Sequence, residues 1–203
     1  IEKGKSLGNF YMWKYAGFTP EGEWLVYDHD GDIIRASQAT DEDRQVVGNG
    51  MPKFTLSTTH NFRYRNFDLA LFFRGAFGFD IFNIHDFYYG TRNFTGNRLK
   101  KAYGKNFGIA PTANPVACDY FLERGDYFKL DMITLGYTLP MPKVRFLDKI
   151  RVYGTVKNVF TITRFTGVDP STYQVNGLTP GGQGSRTYYP STRQFIVGLQ
   201  LDF

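Results

Sequence analysis

The chain ends with the stretch Thr192 to Phe203, which reads Thr-Arg-Gln-Phe-Ile-Val-Gly-Leu-Gln-Leu-Asp-Phe. Apolar side chains occupy every second position: Phe195, Val197, Leu199, Leu201 and Phe203. Gln194, Gly198, Gln200 and Asp202 lie between them. Alternate side chains of a strand point to opposite faces, so this pattern predicts a β-strand with one apolar and one polar face. Such a strand with a terminal aromatic residue is typical of the closing strand of a transmembrane β-barrel.

The composition agrees with this prediction. The chain has 203 residues, 18% of them aromatic, with 20 Phe and 14 Tyr, yet its mean hydropathy is only -0.35. The longest apolar run, Leu69 to Phe73, is far shorter than the roughly 20 residues of a membrane-spanning helix. Many aromatic residues diluted among polar ones indicate strands that alternate between lipid-facing and lumen-facing side chains.

We predict six strands in an all-β, antiparallel arrangement. They are Leu7–Phe18, Lys53–Tyr64, Phe67–Asp80, Tyr120–Leu139, Ile150–Thr163 and Tyr188–Phe203. The connections alternate between long and short. Long extracellular loops and short periplasmic turns are typical of outer-membrane barrels, and this order puts the C-terminus on the periplasmic side. The smallest such barrels have eight strands, so either partner chains complete the barrel or further strands precede Ile1, and we favour the second.

The second and third strands form the most specific structural prediction. Only Arg65 and Asn66 separate them, and Tyr64 and Phe67 flank this two-residue turn. The flanking residues of such a hairpin pair directly and share a face. The two apolar faces should therefore join without a slip in register.

The later strands are less regular. In Tyr120–Leu139 the alternation puts Tyr127 and Lys129 on the face of Ile133 and Leu135, with a kink near Gly125. Pro140 should end this strand, because proline cannot donate to a ladder. The faces of Ile150–Thr163 are ambiguous, which predicts a bulge.

Short stretches spread over nearly the whole chain resemble one protein family in their residues and order. They are Gly8–Tyr11, Lys14–Gly17, Val47–Gly48, Met51–Phe54, Asn61–Phe62, Asn66–Leu69, Phe121–Leu130, Ile133–Pro140, Arg151–Tyr153, Lys157–Thr163, Gly167–Pro170 and Gly198–Phe203. The family is the SusC-like and RagA-like TonB-dependent outer-membrane transporters, and the ordered set carries the resemblance.

The resemblance implies that residues 1–203 are the C-terminal portion of a longer polypeptide, one part of a barrel of about 22 strands with a plugged lumen. The plug and the segment that contacts TonB would lie upstream. The implied partners are a SusD-like surface lipoprotein, TonB, outer-membrane lipid, and an oligosaccharide or peptide substrate. The implied function is TonB-dependent nutrient import.

Asp28, Asp30 and Asp32 are candidate calcium ligands. They occupy positions 1, 3 and 5 of a calcium-loop pattern, but position 6 is Ile33 instead of Gly and position 12 is Ala39. The alternative is a solvated acidic loop. Calcium is the one cofactor for which the sequence offers candidate ligands.

Aromatic residues in the long loops are candidate contacts for a ligand or partner. They are Phe87, Tyr88, Tyr89, Phe94, Tyr173, Tyr188 and Tyr189. Aromatic rings suit sugars and protein interfaces alike. The alternative for each ring is packing inside the loop.

Other functions have weaker support. The net charge is +5, but no compact basic patch indicates nucleic acid. Acidic pairs without a rigid scaffold and three scattered histidines predict no catalytic or zinc site, so we expect no enzyme. Two alternatives remain open: a passive porin-like barrel, and a secreted β-sandwich that binds carbohydrate.

Overall fold

The computed structural model describes residues 3–91, 94–103, 114–142, 146–171, 189 and 191–203. In chain order the strands are β1 (Asn9–Met12), β2 (Lys14–Phe18), β3 (Trp24–Tyr27), β4 (Ile33–Arg35), β5 (Gln45–Asn49), β6 (Phe54–Tyr64), β7 (Phe67–Phe77), β8 (Asp80–Phe82), β9 (Leu122–Arg124), β10 (Tyr127–Pro140), β11 (Lys149–Thr163) and β12 (Gln194–Asp202). A short helix, α1, covers Ile84–Tyr89, and 3-10 turns cover Asp41–Asp43, Lys100–Tyr103 and Asp119–Phe121. No helix within the described ranges is long and apolar enough to cross a membrane.

The chain forms two compact units, each made of three segments. The sheet unit comprises Phe54–Phe77, Asp126–Arg164 and Pro190–Phe203. The aromatic unit comprises Ile1–Lys53, Gly78–Gly125 and Phe165–Tyr189.

The sheet unit is one antiparallel sheet with the strand order β12-β11-β10-β7-β6. The two-residue hairpin is confirmed, since Tyr64 pairs with Phe67 and the ladder continues without a shift to Phe54 and Phe77. Arg65 in the turn has φ 53°. The fold class predicted from the alternation, antiparallel β, is therefore confirmed.

One face of this sheet is apolar across all five strands. Strand pairing places these side chains together: Phe54, Leu56, Phe62, Tyr64, Phe67, Leu69, Leu71, Phe73, Phe77, Phe128, Leu130, Ile133, Leu135, Tyr137, Leu139, Ile150, Val152, Val156, Phe160, Ile162, Phe195, Val197, Leu199 and Leu201. Thr58 and His60 interrupt the face in β6. The register of every strand pair thus places the apolar side chains on one face of the sheet and the polar side chains on the other.

The predicted bulge is present. Leu130 pairs with Phe160 and Met132 pairs with Lys157, so Asp131 on β10 stands opposite the two residues Asn158 and Val159 on β11. Asn158 adopts φ 54°, a left-handed conformation that asparagine tolerates better than most residues.

The bulge also overturns one predicted face. Tyr127 pairs with Ala76 and Lys129 with Arg74, so both lie on the polar face and not with Ile133. In the pairing of β10 with β7 the extra residue is Asp131, because Leu130 pairs with Phe73 and Met132 with the adjacent Phe72, and this insertion shifts the alternation by one position. Its carboxylate lies 2.8 Å from Arg74 Nε and 3.7 Å from Lys129 Nζ, so the bulge places an acid between two bases.

The first predicted strand, Leu7–Phe18, is wrong as a strand of the main sheet. It divides into β1, which pairs with β5, and β2, which pairs with β3. Phe10 and Met12 are buried, at 1% and 8% exposure, because they belong to the core of the aromatic unit. The described main sheet therefore has five strands instead of the predicted six.

That core is built mainly from aromatic residues. Its buried members are Phe10, Met12, Trp24, Phe82, Cys118 and Phe121. Trp24, Tyr120 and Phe121 contact one another with ring centroids 5.0 to 5.5 Å apart. Three small sheets, β1-β5, β2-β3-β4 and β8-β9, contribute side chains to this core. Two segments predicted as long loops, 19–51 and 81–119, thus contain strands and a helix.

Candidate functional site

The closing strand β12 lies at one edge of the sheet and exposes its apolar side chains. Phe195 is 74% exposed and Val197 is 83% exposed. Val197 and Leu199 pair with Gly154 and Val152 of β11. Phe203 follows the last residue of the strand and is 80% exposed. A row of large exposed apolar side chains is unusual in water and indicates a lipid or protein contact.

Arg193 fixes the start of this strand. Its Nη2 donates to the carbonyl of Val159 at 2.6 Å, and its Nε lies 3.4 Å from the carbonyl of Asn158. These carbonyls belong to the bulge, whose extra residue the ladder leaves unpaired. Arg193 therefore satisfies the bulge and joins β12 to β11 beyond the last pair, Lys157 and Gln194.

The opposite face is polar and carries ion pairs that link strands. Arg151 of β11 binds both carboxylate oxygens of Asp68 of β7, with Nε 2.9 Å from Oδ1 and Nη2 2.5 Å from Oδ2. This pair crosses the intervening strand β10 at Gly136, where a Cβ would lie 2.5 Å from Asp68 Oδ1 and 2.6 Å from Arg151 Nη2. A larger residue at this position would have to displace the ends of the Asp68 and Arg151 side chains.

A second glycine on this face is covered by an aromatic ring. Tyr153 pairs with Gly198 of β12, and a Cβ on Gly198 would lie 2.3 Å from the Tyr153 ring. The guanidinium of Arg151 lies 5.0 Å from the centroid of the same ring. Lys149 and Asp202 form a further ion pair at 2.8 Å. Charged and aromatic side chains with defined contacts thus cover the polar face.

A cavity of about 910 Å³ opens at the turn end of this sheet. Its charged lining residues are Arg63, Arg65, Asp68, Asp148, Lys149, Arg151 and Asp202. Arg63 lies directly opposite Asp68 in the ladder, but the Asp68 carboxylate is held by Arg151 instead. The lining of the cavity therefore carries both charges, with acidic and basic side chains of adjacent strands next to each other.

The predicted aromatic contacts lie in different surroundings. Phe87 packs against Phe82 and Phe121, with centroids 5.5 and 5.2 Å apart, and so contributes to the core of the aromatic unit. Tyr88 contacts Phe87. Tyr89 and Phe94 contact each other edge to face at 5.0 Å.

The remaining members of the predicted set are Tyr173, Tyr188 and Tyr189. Tyr189 is 80% exposed, whereas Tyr173 and Tyr188 lie outside the described residues. Among the candidate ligand contacts, the structure therefore brings together Tyr89 with Phe94 and Tyr88 with Phe87.

The acidic segment of Asp28, Asp30 and Asp32 forms the turn between β3 and β4. Asp28 Oδ1 accepts from the backbone N–H of Asp30 at 3.0 Å and of Asp32 at 2.8 Å, and Gly31 takes φ 91°. Within the described chain, no three or more His, Cys, Asp or Glu residues are grouped to hold a metal ion. The Asp28 carboxylate thus stabilises the turn, and calcium binding by Asp28, Asp30 and Asp32 stays a prediction.

Asp43 holds this turn in place. Its carboxylate accepts from the N–H and Nδ1 of His29, both at 3.1 Å, and from the N–H and hydroxyl of Thr40 at 2.7 and 3.0 Å. The hydrogen bond to Asp43, with Asp30 nearby, raises the pKa of His29 above its usual value. Hydrogen bonds, that from the Thr40 backbone first, lower the pKa of Asp43.

The aromatic unit also buries an acid. Asp86 of α1 is 3% exposed and forms an ion pair with Lys101. Burial raises the pKa of Asp86, while Lys101 opposes that rise. Asn83, the residue before α1, caps the helix by accepting from the Asp86 N–H at 3.1 Å, and it donates to Glu123 Oε1 at 2.8 Å. This network orders the helix that carries Tyr88 and Tyr89.

The Asp68–Arg151 pair and its crossing point at Gly136 cannot be predicted from the sequence alone. The alternation places both charged residues on the polar face, but their proximity depends on the register of three strands. That register depends in turn on the bulge at Asp131. Charge alternation within each strand was the available signal.

No protein-family model matches the chain, but individual proteins do. TonB-dependent receptor P3 of Formosa agariphila is 27% identical over 234 residues, which cover 100% of this chain and 23% of that protein. The TonB-dependent receptor SusC of Bacteroides thetaiotaomicron is 26% identical over 219 residues, which cover 98% of this chain and 20% of that protein. The chain is a homologue of TonB-dependent receptors. The predicted resemblance is thereby confirmed.

Solved structures show the same fold. The RagAB peptide transporter superposes with a TM-score of 0.73 at 22% identity, over 96% of this chain and 23% of that chain. The RagAB peptide importer in its closed-closed state gives a TM-score of 0.72 at 23% identity. The chain spans about a quarter or less of the length of these relatives, which fits the predicted portion of a larger TonB-dependent receptor.

Proposed function

We propose that this chain forms the C-terminal part of the barrel wall of a TonB-dependent nutrient importer in the bacterial outer membrane. Its five long strands would contact lipid on the apolar face and the lumen on the polar face. The named relatives are receptors and a transporter, which supports transport over catalysis.

The observation that carries this proposal is the two-faced sheet. Val197 and Phe195 expose 83% and 74% of their surface on the apolar face. On the other face Arg151 and Asp68 form a bidentate ion pair. Barrel strands in membranes show this combination of an apolar exterior and a polar interior.

The edges of the sheet support a closed assembly. β12 and β6 are its outer strands, and within the described chain neither has a second partner in this sheet. Unpaired backbone N–H and C=O groups are costly in lipid, so strands span membranes only as closed barrels. The five strands therefore need further strands from outside the described chain.

We further propose that import involves a SusD-like surface lipoprotein, and TonB acting through a region upstream of this chain. SusC and the RagAB peptide transporter are the relatives that support this assembly. The substrate would be an oligosaccharide or a peptide. Tyr88, Tyr89, Phe94 and Tyr189 are the proposed contacts of the aromatic unit for substrate or lipoprotein. We also propose a periplasmic C-terminus.

The test is to extract membranes in mild detergent and to measure the mass of the polypeptide that carries this C-terminus, together with any protein that copurifies. A polypeptide several times larger than 23.3 kDa, accompanied by a lipoprotein, would support the importer. A large barrel polypeptide without a plug domain would favour a passive porin. A detergent-free protein of 23.3 kDa would contradict the proposal and favour a secreted β-sandwich.

A further inference from the structure

The turn end of the sheet carries a belt of aromatic rings on the apolar face. Tyr64, Phe67 and Tyr137 lie there and are 69%, 50% and 37% exposed. The rings of Phe67 and Tyr137 contact each other with centroids 4.6 Å apart. If the apolar face contacts lipid, as proposed above, a belt of this kind marks the level of the lipid headgroups.

Arg65 lies at this belt. Its guanidinium is 5.4 Å from the centroid of the Tyr64 ring, and Tyr64 belongs to the apolar face. Arg63, two residues earlier, lies on the polar face opposite Asp68. The same hairpin thus directs one arginine to the polar face and places another beside the exposed aromatic ring.

No acidic side chain of the described chain forms an ion pair with Arg65. Asp68 is held by Arg151, and Asp202 by Lys149. Asp148 also lines the cavity beside Arg65 but is not bonded to it. Arg65 therefore retains its guanidinium N–H groups for an external anion.

The backbone of Arg65 is unfavourable for an arginine. Its φ of 53° lies in the left-handed region, which glycine adopts readily and in which a Cβ atom is sterically crowded. It occupies the first position of a two-residue turn, which often carries glycine or asparagine. A residue held in such a conformation is a reasonable starting point for a functional hypothesis.

We propose that Arg65, seated on Tyr64, binds the phosphate group of a membrane phospholipid at the turn end of the sheet. A guanidinium presents paired N–H groups that match phosphate oxygens. The inference rests on the proposed function, because it needs lipid beside the apolar face.

The experiment uses the full-length polypeptide, purified from membranes and stripped of lipid in detergent. Phosphatidylglycerol is added in steps, and native mass spectrometry counts the bound lipid. We expect Arg65→Gln to lower the affinity about fivefold, the effect of one basic residue near a phosphate surface. Arg63→Gln removes the same charge from the polar face of the same hairpin and should leave lipid binding unchanged.

A second variant separates binding from folding. Arg65→Gly suits the left-handed backbone and should fold at least as stably as the unaltered protein. Its affinity for the lipid should nevertheless fall about fivefold, as in Arg65→Gln. Equal binding by Arg65→Gly and the unaltered protein would overturn the proposal. Displacement of the lipid by an equal concentration of inorganic phosphate would show a free-phosphate site and would also overturn it.

The same preparation distinguishes this inference from the proposed function. If the unaltered protein and both Arg65 variants are all recovered without detergent in the soluble fraction, the membrane proposal itself is wrong. If all are integral membrane proteins with equal lipid binding, only the phospholipid site is wrong.

Discussion

At the scale of single residues, Gly136 organises the polar face because it has no side chain. Asp68 has a cation directly opposite, Arg63, but it binds Arg151 from two strands away. The crossing at Gly136 permits this choice, because a Cβ there would overlap both partners. A bidentate pair gives strong, well-oriented hydrogen bonds, so Gly136 helps to hold three strands in register.

We therefore predict that Gly136→Ala displaces the ends of the Asp68 and Arg151 side chains, weakens their ion pair and destabilises the protein by up to about 1 kcal/mol, the range for a partly exposed pair. Gly154→Ala is the matched control, because a Cβ at Gly154 meets nothing within 4 Å. That change should be neutral or stabilising by up to about 1 kcal/mol. Melting of the full-length protein in detergent, followed by circular dichroism, measures both. Equal melting temperatures for the two variants would refute the role of the crossing.

A second prediction at this scale concerns pH. The pKa of His29 is raised, so its contribution to the turn is present below its ordinary pKa of about 6.5 and is lost as pH rises through the raised value. The pKa of Asp43 is lowered, so its contribution is present above about 3.9 and is lost as pH falls through the lowered value. The turn should be best ordered between about pH 4 and 6.5.

Hydrogen exchange of the segment from Tyr27 to Arg44, corrected for the intrinsic rate, measures this dependence. Protection of the His29 and Thr40 amides, which both donate to Asp43, should fall as the pH rises above the window. In the Asp43→Asn variant, the protection of these amides should no longer fall as the pH rises above the window. A protection profile that is flat between pH 5 and 9 in the unaltered protein would contradict the assignment.

At the scale of elements, local rules predict some features and miss others. The hairpin of β6 and β7 is predictable because a turn of two residues, Arg65 and Asn66, leaves one register. The faces of Tyr127 and Lys129 are not, because a single inserted residue, Asp131, reverses the alternation. That insertion is stabilised by ion pairs with Arg74 and Lys129, contacts that exist only once the strands have paired.

The segment Leu7–Phe18 shows a different limit. Its β-favouring side chains correctly predict extended backbone, but propensity does not specify a partner. Phe10 and Met12 are buried in the aromatic unit, so the segment divides at Trp13 and pairs with β5 and β3. Tertiary packing overrides the regular pattern.

The bulge at Asn158 gives a prediction for an element. Its φ of 54° admits glycine readily, whereas a β-branched residue is strained there. Asn158→Gly should therefore leave the stability nearly unchanged. Asn158→Val should cost about 1–2 kcal/mol. The midpoint of urea unfolding in detergent distinguishes them, and a tolerated valine would show that the left-handed bulge is not required.

At the scale of the whole molecule, the cost of a charged substitution at an exposed apolar site shows whether that site contacts lipid or water. Val197 is 83% exposed near the middle of β12. In water, a charged substitution at such a site changes stability by no more than about 0.5 kcal/mol. In lipid, arginine at the midplane costs about 2–4 kcal/mol. The same change thus has different consequences under the two readings of the fold.

We predict that Val197→Arg strongly reduces the amount of folded full-length protein in the outer membrane. Ile196→Arg, on the adjacent polar-face position, is the matched control and should be recovered at close to normal levels. Resistance of the membrane fraction to urea extraction measures the folded amount. Normal recovery of Val197→Arg would argue against a lipid-facing surface at β12.

The candidate site was less predictable than the fold at this scale. Phe87 was a reasonable candidate as an aromatic loop residue, but it packs against Phe82 and Phe121. The spacing of Asp28 predicts calcium binding, which stays a prediction, whereas the structure adds the hydrogen bonds of its carboxylate to the backbone of its own turn. Composition and spacing identify the residue types, whereas burial and hydrogen-bond partners determine which of them remain available.

The interleaving of the two units has a consequence for inheritance. Each unit is assembled from three separate stretches of the chain, and the stretches of one alternate with those of the other. Recombination between related genes moves contiguous stretches, so no single exchange could replace the aromatic unit and leave the sheet intact. A new aromatic unit would have to arrive as three compatible pieces. The unit that carries the candidate ligand contacts should therefore diversify by point substitution within its own lineage.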